Sequence, residues 1–373
     1  MIIGVPKEIK DHEYRVGLVT SSVRELVSLG HQVLIETQAG AGIGLSDADY
    51  QSAGATILST ASEVFTRSEL IIKVKEPQSV ERAMLREGQI LFTYLHLAPD
   101  YEQTKELIQS KSICIAYETV KDNKGRLPLL APMSEVAGRM SVQAAAQTLE
   151  NSRGGRGLLL SGVPGVEPAK VLILGGGVVG SNAARLAVGM RADVTVLDRN
   201  LDTLRALDCE FQGKVKLLYS TDDLIDRLVP DTDVIIGAVL IPGAAAPKLI
   251  TADHVKAMKH GSCLVDVAID QGGCFETSHP TTHTHPTFIV DNVVHYCVAN
   301  MPGAVARTSA FALNNATLPY IIQLAGKGYK QALLDDPGFL AGLNVIHGKV
   351  TCREVAEAFN LHYTDPTVAL SMH

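Results

Sequence analysis

The sequence predicts an α/β protein made of two Rossmann-like, doubly wound domains, and three observations lead to that prediction. Short apolar runs alternate with helical patterns over most of the 373 residues. A glycine-rich motif follows one of these runs in the middle of the chain. From residue 302 onward the pattern becomes helical, without clear strands, so this segment should pack back on earlier structure. The expected domains are therefore a discontinuous first domain, residues 1–133 and 302–373, and an inserted domain, residues 134–301, linked by long helices with a cleft between them.

The first region alternates strand and helix patterns from its first residues. The apolar runs predict strands at Ile2–Val5, Gln32–Glu36, Leu70–Val74, Ile90–Tyr94 and Ile113–Ala116. Helical patterns lie between them, near Ser22–Leu29, Asp47–Ala53, Val80–Arg86 and Tyr101–Gln109. Alternation of this kind indicates a parallel sheet covered by helices.

A long alanine-rich helix follows, for which Ser134 is the expected N-cap. We interpret this helix as the connector between the domains. The glycine-rich residues 154–165 after it are more typical of a flexible loop than of a second phosphate-binding loop.

The motif itself has every part of a dinucleotide-binding βαβ unit. The buried run Val171–Leu174 leads into Gly175, Gly177 and Gly180, which form G-x-G-x-x-G. These glycines allow a tight turn, a close approach of the pyrophosphate, and close packing of the next helix, predicted at 179–190. The strand 193–197 then ends at Asp198, whose carboxylate can accept hydrogen bonds from a ribose. Asp198 favours NAD over NADP because it would repel a 2′-phosphate, although Arg199 beside it weakens that preference.

The inserted domain continues with the same alternation. Strands are expected near Val215–Leu218, Val234–Ala238, Cys263–Val267 and Phe288–Val290, with helices near Asp222–Leu228 and Ala252–Met258. In the helical tail, Pro302 suits a first helical turn, and Pro319 is expected to kink or interrupt the helix.

Composition excludes several classes of protein. The formal net charge is -7 and the Lys and Arg residues are dispersed, so no nucleic-acid partner is expected. The six cysteines contain no CxxC pair, which argues against a zinc site or a disulfide scaffold and favours a reducing cytoplasm. The first residues do not form a signal peptide, and no segment reaches the roughly 20 apolar residues that cross a bilayer. We therefore expect a cytoplasmic protein with no membrane partner.

Polar residues after the predicted strands are the candidate site residues, since ligands of open α/β sheets bind at the carboxyl edge. Arg15 follows the first strand, but acids beside it make a solvated ion pair the commoner outcome. His96 follows another strand, where a hydrogen-bonded structural histidine is commoner. Lys75 and Asp270 are as well explained by structure as by function. The run SHPTTHTHP favours a surface turn over a metal site.

Several long segments, spread over the whole chain, resemble the alanine dehydrogenase family. They are GVPKEIKDHEYRVGL, IIKVKEP, YLHLAP, MSEVAGRMS, VLILGGGVVG, VDVAIDQGG and VHYCVANMPGAVARTS. The resemblance implies NAD-dependent oxidative deamination of L-alanine to pyruvate and ammonium, with the reverse reaction possible, by a homohexamer. Gly17 and Ala306 depart from the family pattern, which has alanine and proline there, and neither touches the expected chemistry.

The resemblance also implies a set of site residues. It implies substrate contacts by Arg15, Lys75, His96 and Asp270, with Glu118 close to the substrate. The cofactor residues that it implies, beyond the motif glycines Gly175 and Gly180, are Ser134, Gly177, Val178, Val179, Asp198, Ser220, Val239, Asn300 and Met301.

The chemistry of these side chains agrees with such roles. Arg15 can hold a carboxylate with two charge-assisted hydrogen bonds, and Lys75 can bind the carboxylate or the oxygen that develops at the α-carbon. His96, with an intrinsic pKa of about 6.5, suits acid–base catalysis near neutrality. Asp270 can stabilise the iminium and orient water, and closure of the domains should assemble the site.

Three other functions stay open at this point. One is the soluble NAD-binding alpha part of a proton-translocating transhydrogenase, and another is a saccharopine-type dehydrogenase. The last is an NAD-responsive binding protein without catalysis.

Overall fold

The computed structural model describes residues 1–239 and 246–372 and divides into two compact units. Unit 1 consists of Met1–Met133 and Val305–His373, and unit 2 of Ser134–Ala304. Each unit contains one mainly parallel sheet with helices between most successive strands. The predicted α/β class with two doubly wound sheets is confirmed.

The described residues form fifteen strands and fourteen helices. The strands are β1 Ile2–Val5, β2 Gln32–Glu36, β3 Thr56–Leu58, β4 Leu70–Ile72, β5 Ile90–Thr93, β6 Ile113–Ala116, β7 Lys170–Leu174, β8 Asp193–Asp198, β9 Lys216–Tyr219, β10 Val234–Gly237, β11 Cys263–Asp266, β12 Thr287–Val290, β13 Val293–Tyr296, β14 Leu343–Ile346 and β15 Lys349–Val350. The helices are α1 Thr20–Ser28, α2 Asp47–Ser52, α3 Ala61–Arg67, α4 Ser79–Arg82, α5 Tyr101–Ser110, α6 Ala131–Thr148, α7 Val178–Gly189, α8 Leu201–Phe211, α9 Asp222–Leu228, α10 Ala252–Ala257, α11 Ala306–Asp335, α12 Pro337–Leu340, α13 Arg353–Ala358 and α14 Pro366–Ser371.

The two sheets share one winding pattern. In unit 1 the strand order is β15-β14-β6-β5-β4-β1-β2-β3, and in unit 2 it is β12-β13-β11-β10-β7-β8-β9. The strands from β1 to β6 pair in parallel, as do β7 to β11 and β13, whereas β12, β14 and β15 pair antiparallel. The order reverses between β1 and β4 in one sheet and between β7 and β10 in the other. Ligands of doubly wound sheets bind beyond the carboxyl ends of the strands at such reversals.

Local sequence explains why the central strands lie where they do. The residues of β4, β5, β6, β10 and β11 are all buried, which matches the continuous apolar runs of parallel strands covered on both faces. Several helices begin at capped positions. Thr60 and Glu63 form a capping box at α3. At α5, the Asp100 side chain accepts a hydrogen bond from the backbone N–H of Gln103.

The prediction of a wholly helical tail from residue 302 is wrong at residues 343–350. There β14 pairs antiparallel with β6, and β15 continues the sheet as a hairpin. Asn344 interrupts the apolar run and a bulge lies between Leu343 and Val345, so the segment lacks a regular strand pattern. The Asn344 side chain donates hydrogen bonds to Thr119 Oγ1 and to the Gly342 carbonyl, which satisfies its buried amide.

Two helix predictions also need correction. Helix α6 begins at Ala131, so Ser134 lies inside its first turn and is not the N-cap. Helix α11 continues through Pro319, so the proline does not interrupt it, and the helical dihedral angles break instead at Gly328, where φ is 75°. Buried residues flank the proline on both sides, including Thr317 and Ile321. This packing offsets the hydrogen bond that proline removes.

Candidate functional site

The predicted substrate residues of unit 1 all follow strands at the carboxyl edge of its sheet. Arg15 lies in the loop after β1, Lys75 after β4, His96 after β5 and Glu118 after β6. These four strands include the pair at which the strand order reverses. The topology therefore gathers at one edge residues that lie far apart in the sequence.

Arg15 is held rigidly by an acid two residues before it. Its side chain is only 2% exposed, and its Nε and Nη2 donate to Glu13 Oε1 and Oε2 at 2.7 and 2.6 Å. Nη1 faces the Met133 sulfur at 3.1 Å. Burial lowers the Arg15 pKa, but the hydrogen bonds and charge of Glu13 outweigh it and leave the pKa above its ordinary value. The expectation of a solvated ion pair is thus wrong, since this pair is buried.

A second buried network fixes the segment that carries Lys75. Lys73 is fully buried, and its Nζ donates to Glu8 at 2.9 Å and to Glu81 at 2.8 Å. The other Glu8 oxygen accepts from the backbone N–H of Val74 at 2.6 Å and of Lys75 at 3.4 Å. Glu8 therefore joins the loop after β1 to the segment that follows β4. The half-buried Lys75 lies in that segment.

Burial shapes the charges of this network. It raises the Glu8 pKa, although Lys73 counteracts the effect. It lowers the pKa of Lys73, but the two carboxylates outweigh it and leave that pKa above its ordinary value. Lys73 is therefore a structural cation with two acidic partners.

His96 stands out from its neighbours in both exposure and backbone conformation. Its side chain is 45% exposed, whereas Leu95 and Leu97 are buried. Its φ is 47°, in the left-handed region that few residues other than glycine adopt. The ring stacks on Tyr94 with centroids 5.8 Å apart and planes 7° apart. The expectation of a structural histidine is wrong, because the imidazole lies at the surface of the carboxyl edge.

Glu118 contacts the segment that carries His96. Its carboxylate accepts hydrogen bonds from the backbone N–H of His96 at 2.6 Å and of Leu95 at 3.2 Å. The same carboxylate lies 3.9 Å from His96 Nδ1. Glu118 is thus in reach of the imidazole while it fixes the main chain below it.

The glycine motif of unit 2 has the geometry of a phosphate loop. Gly175 has φ 98°, and a Cβ there would lie 2.8 Å from the Ala238 carbonyl. A Cβ on Gly180 would collide with the Gly175 carbonyl, so the strand and α7 pack too closely for any side chain. A Cβ on Gly177, the N-cap of α7, would meet open space. Its backbone is therefore open to a ligand at the positive end of the helix, where Val178 and Val179 form the first turn.

Asp198 lies at the end of β8 beside this loop. Its carboxylate accepts from the backbone N–H of Gly176 at 2.6 Å and of Asn200 at 2.7 Å. The backbone N–H of Ser220 donates to the Asp198 carbonyl at 3.0 Å. A shallow cavity of about 730 Å³ adjoins the carboxylate, lined by Asp198, Arg199, Asn200, Leu201, Asp202, Arg205 and Tyr219. Its position next to the glycine loop suits the adenosine half of a dinucleotide.

Asp270 is exposed on a short 3₁₀ turn after β11. The buried Asp266 organises this region, because its carboxylate accepts from the backbone N–H of Cys274 and Phe275 and from the Ser278 hydroxyl at 3.1, 3.2 and 2.6 Å. Burial raises the Asp266 pKa, and these donors counteract the effect. Asp266 thus anchors the turn from which Asp270 projects.

The other predicted cofactor residues of unit 2 lie at element ends or in α6. Ser134 is in the first turn of α6, and Val239 follows β10. Asn300 has φ 62°, and its carbonyl is 3.1 Å from His283 Nε2. Met301 is buried in the turn that follows.

Unit 1 therefore carries Arg15, Lys75, His96 and Glu118, and unit 2 carries Asp270 and the predicted cofactor residues. Sequence reasoning noticed Glu8 and Glu13 only as acids near Arg15, and it did not foresee the buried contacts by which they, Lys73, Glu81 and Asp266 hold the candidates in place. Glu13 is the one with a usable sequence signal, since an acid two residues before a candidate arginine can form a fork with it.

Neither a metal centre nor a membrane span is present in the part of the chain that the structure describes. Within residues 1–239 and 246–372, no three His, Cys, Asp or Glu side chains are grouped so that they could hold a metal ion. Over the same residues, no helix is both long and apolar enough to cross a membrane.

The chain is similar to known proteins over nearly its whole length. Residues 4–137 match the family described as "Alanine dehydrogenase/PNT, N-terminal domain", and residues 141–353 match "Alanine dehydrogenase/PNT, C-terminal domain". Alanine dehydrogenase of Halomonas elongata is 60% identical over 98% of each chain. Alanine dehydrogenase of Methanococcus maripaludis is 55% identical over 100% of each chain. A solved L-alanine dehydrogenase structure superposes with a TM-score of 0.94 at 52% identity, covering 96% of this chain and 99% of that one.

Proposed function

The chain belongs to the alanine dehydrogenase/PNT family, and we propose that it catalyses the reversible, NAD-dependent oxidative deamination of L-alanine to pyruvate and ammonium. The observation that carries this proposal is the grouping of a buried, fixed arginine, a lysine and an exposed histidine at one sheet edge. A small zwitterionic acid needs these groups, a cation for its carboxylate and a base near its α-carbon.

Arg15 binds the substrate carboxylate in this proposal. Because Glu13 fixes the guanidinium from one side, its orientation is set before the substrate arrives, and little side-chain entropy is lost on binding. Lys75 adds a second positive charge and stabilises the oxygen that develops at the α-carbon.

His96 moves the protons. Its ring is exposed enough to reach a substrate and is held by the Tyr94 stack and by the Glu118 contacts. It accepts a proton from the water that attacks the substrate iminium and returns it in the reverse direction. Asp270, exposed on its anchored turn, stabilises the positive iminium and orients that water.

The residues of unit 2 fit NAD. When it is bound, NAD supplies the hydride acceptor for the substrate α-carbon. The open backbone at Gly177 and the α7 N-terminus suit its pyrophosphate, and Asp198 suits a ribose with free hydroxyls. The same carboxylate would repel the 2′-phosphate of NADP, which supports NAD. Ser134, Ser220, Val239, Asn300 and Met301 complete the proposed cofactor set.

One assay tests the proposal. Purified protein is mixed with NAD and a panel of small amino acids, and NADH absorbance is followed. We expect NADH formation with L-alanine, and NADH consumption when pyruvate and ammonium are supplied. NAD binding by calorimetry without turnover on any amino acid would contradict the proposal and favour a binding protein or a transhydrogenase subunit. Sedimentation of the same sample tests the homohexamer that we also propose.

A further inference from the structure

The main chain around His96 receives side-chain hydrogen bonds from two other segments, the turn after β6 and helix α5. Glu118 accepts from the N–H groups of Leu95 and His96. From the other side, Gln103 Nε2 donates to the Leu95 carbonyl at 2.6 Å, and Thr104 Oγ1 donates to the Leu97 carbonyl at 3.2 Å. Strained residues persist only where their surroundings over-determine them, and the φ of 47° at His96 is such a case.

Gln103 departs from the ordinary behaviour of its position. It is the third residue of α5, where a glutamine normally reaches back to the backbone N–H of the N-cap. Here the Asp100 N–H donates to the Leu97 carbonyl instead, and the Gln103 side chain points to Leu95. Gln103 is 1% exposed, and its Oε1 has no hydrogen-bond partner within the described residues.

A buried amide with one unmet acceptor costs stability, so its burial is poorly explained by stability alone. Its one donated hydrogen bond goes to the peptide group that joins Leu95 to His96. We propose that Gln103 is a positioning residue, which together with Glu118 fixes the His96 peptide and so aims the imidazole. The proposal rests on the proposed function of His96 as the acid–base group. Gln103 itself acts through His96.

The test compares two matched substitutions. Gln103→Met keeps the side-chain length and removes the donor. The control is Gln89→Met. Like Gln103, Gln89 is buried in unit 1, and its Nε2 donates to the carbonyls of Phe65 and Ser68. Unlike Gln103, which donates to the residue before His96, Gln89 lies at the other end of β5, because it precedes that strand whereas His96 follows it. Both variants lose buried hydrogen bonds to carbonyls, but only Gln103→Met should disturb the His96 imidazole.

The readouts are kcat, KM for L-alanine, Kd for NAD, and the melting temperature. For Gln103→Met we expect kcat to fall about 10- to 100-fold, since small misplacements of a catalytic group have effects of this size. KM and Kd should stay within about 2-fold, because Arg15 and the NAD residues do not depend on Gln103. Gln89→Met should keep the wild-type kcat even where its melting temperature falls as far.

A double substitution identifies the route. If Gln103 acts through His96, His96→Ala and His96→Ala with Gln103→Met should have equal kcat values, because the imidazole is already absent. A kcat of the double variant below that of His96→Ala would overturn the inference. Should Gln103→Met fail to fold, Gln103→Leu, which is apolar, smaller and likewise without a donor, takes its place in every comparison.

The outcomes separate this inference from the proposed function. If the wild-type protein forms no NADH with L-alanine, the proposed function fails first. If it does, and a folded Gln103 variant keeps the wild-type kcat, or Gln89→Met loses as much kcat as Gln103→Met, the inference alone is overturned.

Discussion

Replacing Lys73 by methionine should destabilise unit 1 strongly. Lys73 is fully buried and is 2.9 Å from Glu8 and 2.8 Å from Glu81. The substitution keeps most of the side-chain volume but leaves two buried carboxylates without their shared cation. Removing one partner from a buried ion pair typically costs about 3–5 kcal/mol.

The expected melting shift follows from that free energy. A domain of roughly 150–250 residues loses about 2–4 °C for each kcal/mol, so we expect a decrease of about 6–20 °C. As a control, Lys105→Met removes an exposed lysine 3.3 Å from Glu102, a pair worth at most about 1 kcal/mol. Calorimetry of both variants at neutral pH measures the two shifts.

The loss of unfolding free energy that Lys73→Met causes, called the stability deficit below, should depend on pH, and this dependence gives an independent check. Burial already raises the Glu8 pKa above its ordinary 4.5, and loss of Lys73 should raise it further. A carboxyl whose folded-state pKa is raised stabilises the fold when protonated, and this stabilisation is lost as pH rises through the folded pKa. The deficit should therefore shrink as pH falls toward 5. A deficit below about 1 kcal/mol at neutral pH, or one that grows on acidification, would refute the reasoning.

The remaining predictions concern the proposed reaction. His96→Ala should lower kcat about 10²- to 10⁴-fold with NAD affinity unchanged, as measured by NADH formation and calorimetry; unchanged turnover would remove His96 from the mechanism. Asp198→Ala should raise Kd for NAD about 10-fold or more, because the Gly176 and Asn200 N–H groups lose their acceptor; a wild-type preference for NADP would contradict this. Arg15→Lys should raise KM for L-alanine at least about 10-fold, since an ammonium cannot reproduce the fork that Glu13 orients; an unchanged KM would exclude Arg15 from carboxylate binding.

The fold was predictable where strands are continuously apolar. β5 and β6 have four buried residues each. Thr93, the last residue of β5, is the one hydroxyl-bearing residue in these two strands. Strand β3 was not predicted because it has three residues, begins with an exposed threonine and is only partly apolar. Strand β14 was missed because Asn344 breaks its pattern, and only the pairing with β6 gives that asparagine its partners.

The candidate site was predictable in identity but not in how it is held. Position after a strand made Arg15 and His96 candidates, but the resemblance to the alanine dehydrogenase family was needed to prefer a functional role over a structural one. Glu8 meets Lys73 across 65 residues of sequence, and Glu81 meets it across eight, between β4 and α4; no strand or helix periodicity indicates either contact. Sequence patterns describe which face of an element is apolar. They do not show which acid meets which base once the chain has folded.

The pairing of β14 with β6 determines when the first sheet can be completed during synthesis. One side of β6 meets β5, which is encoded shortly before it, whereas the other side waits for residues 343–346, encoded after the whole of unit 2. Until then, an apolar strand that is fully buried in the finished protein has an unpaired edge. Unpaired edges are templates for association with other chains. Slow translation through the inserted unit therefore prolongs exposure of this edge to aggregation, at a stage when the glycine loop can already be folded.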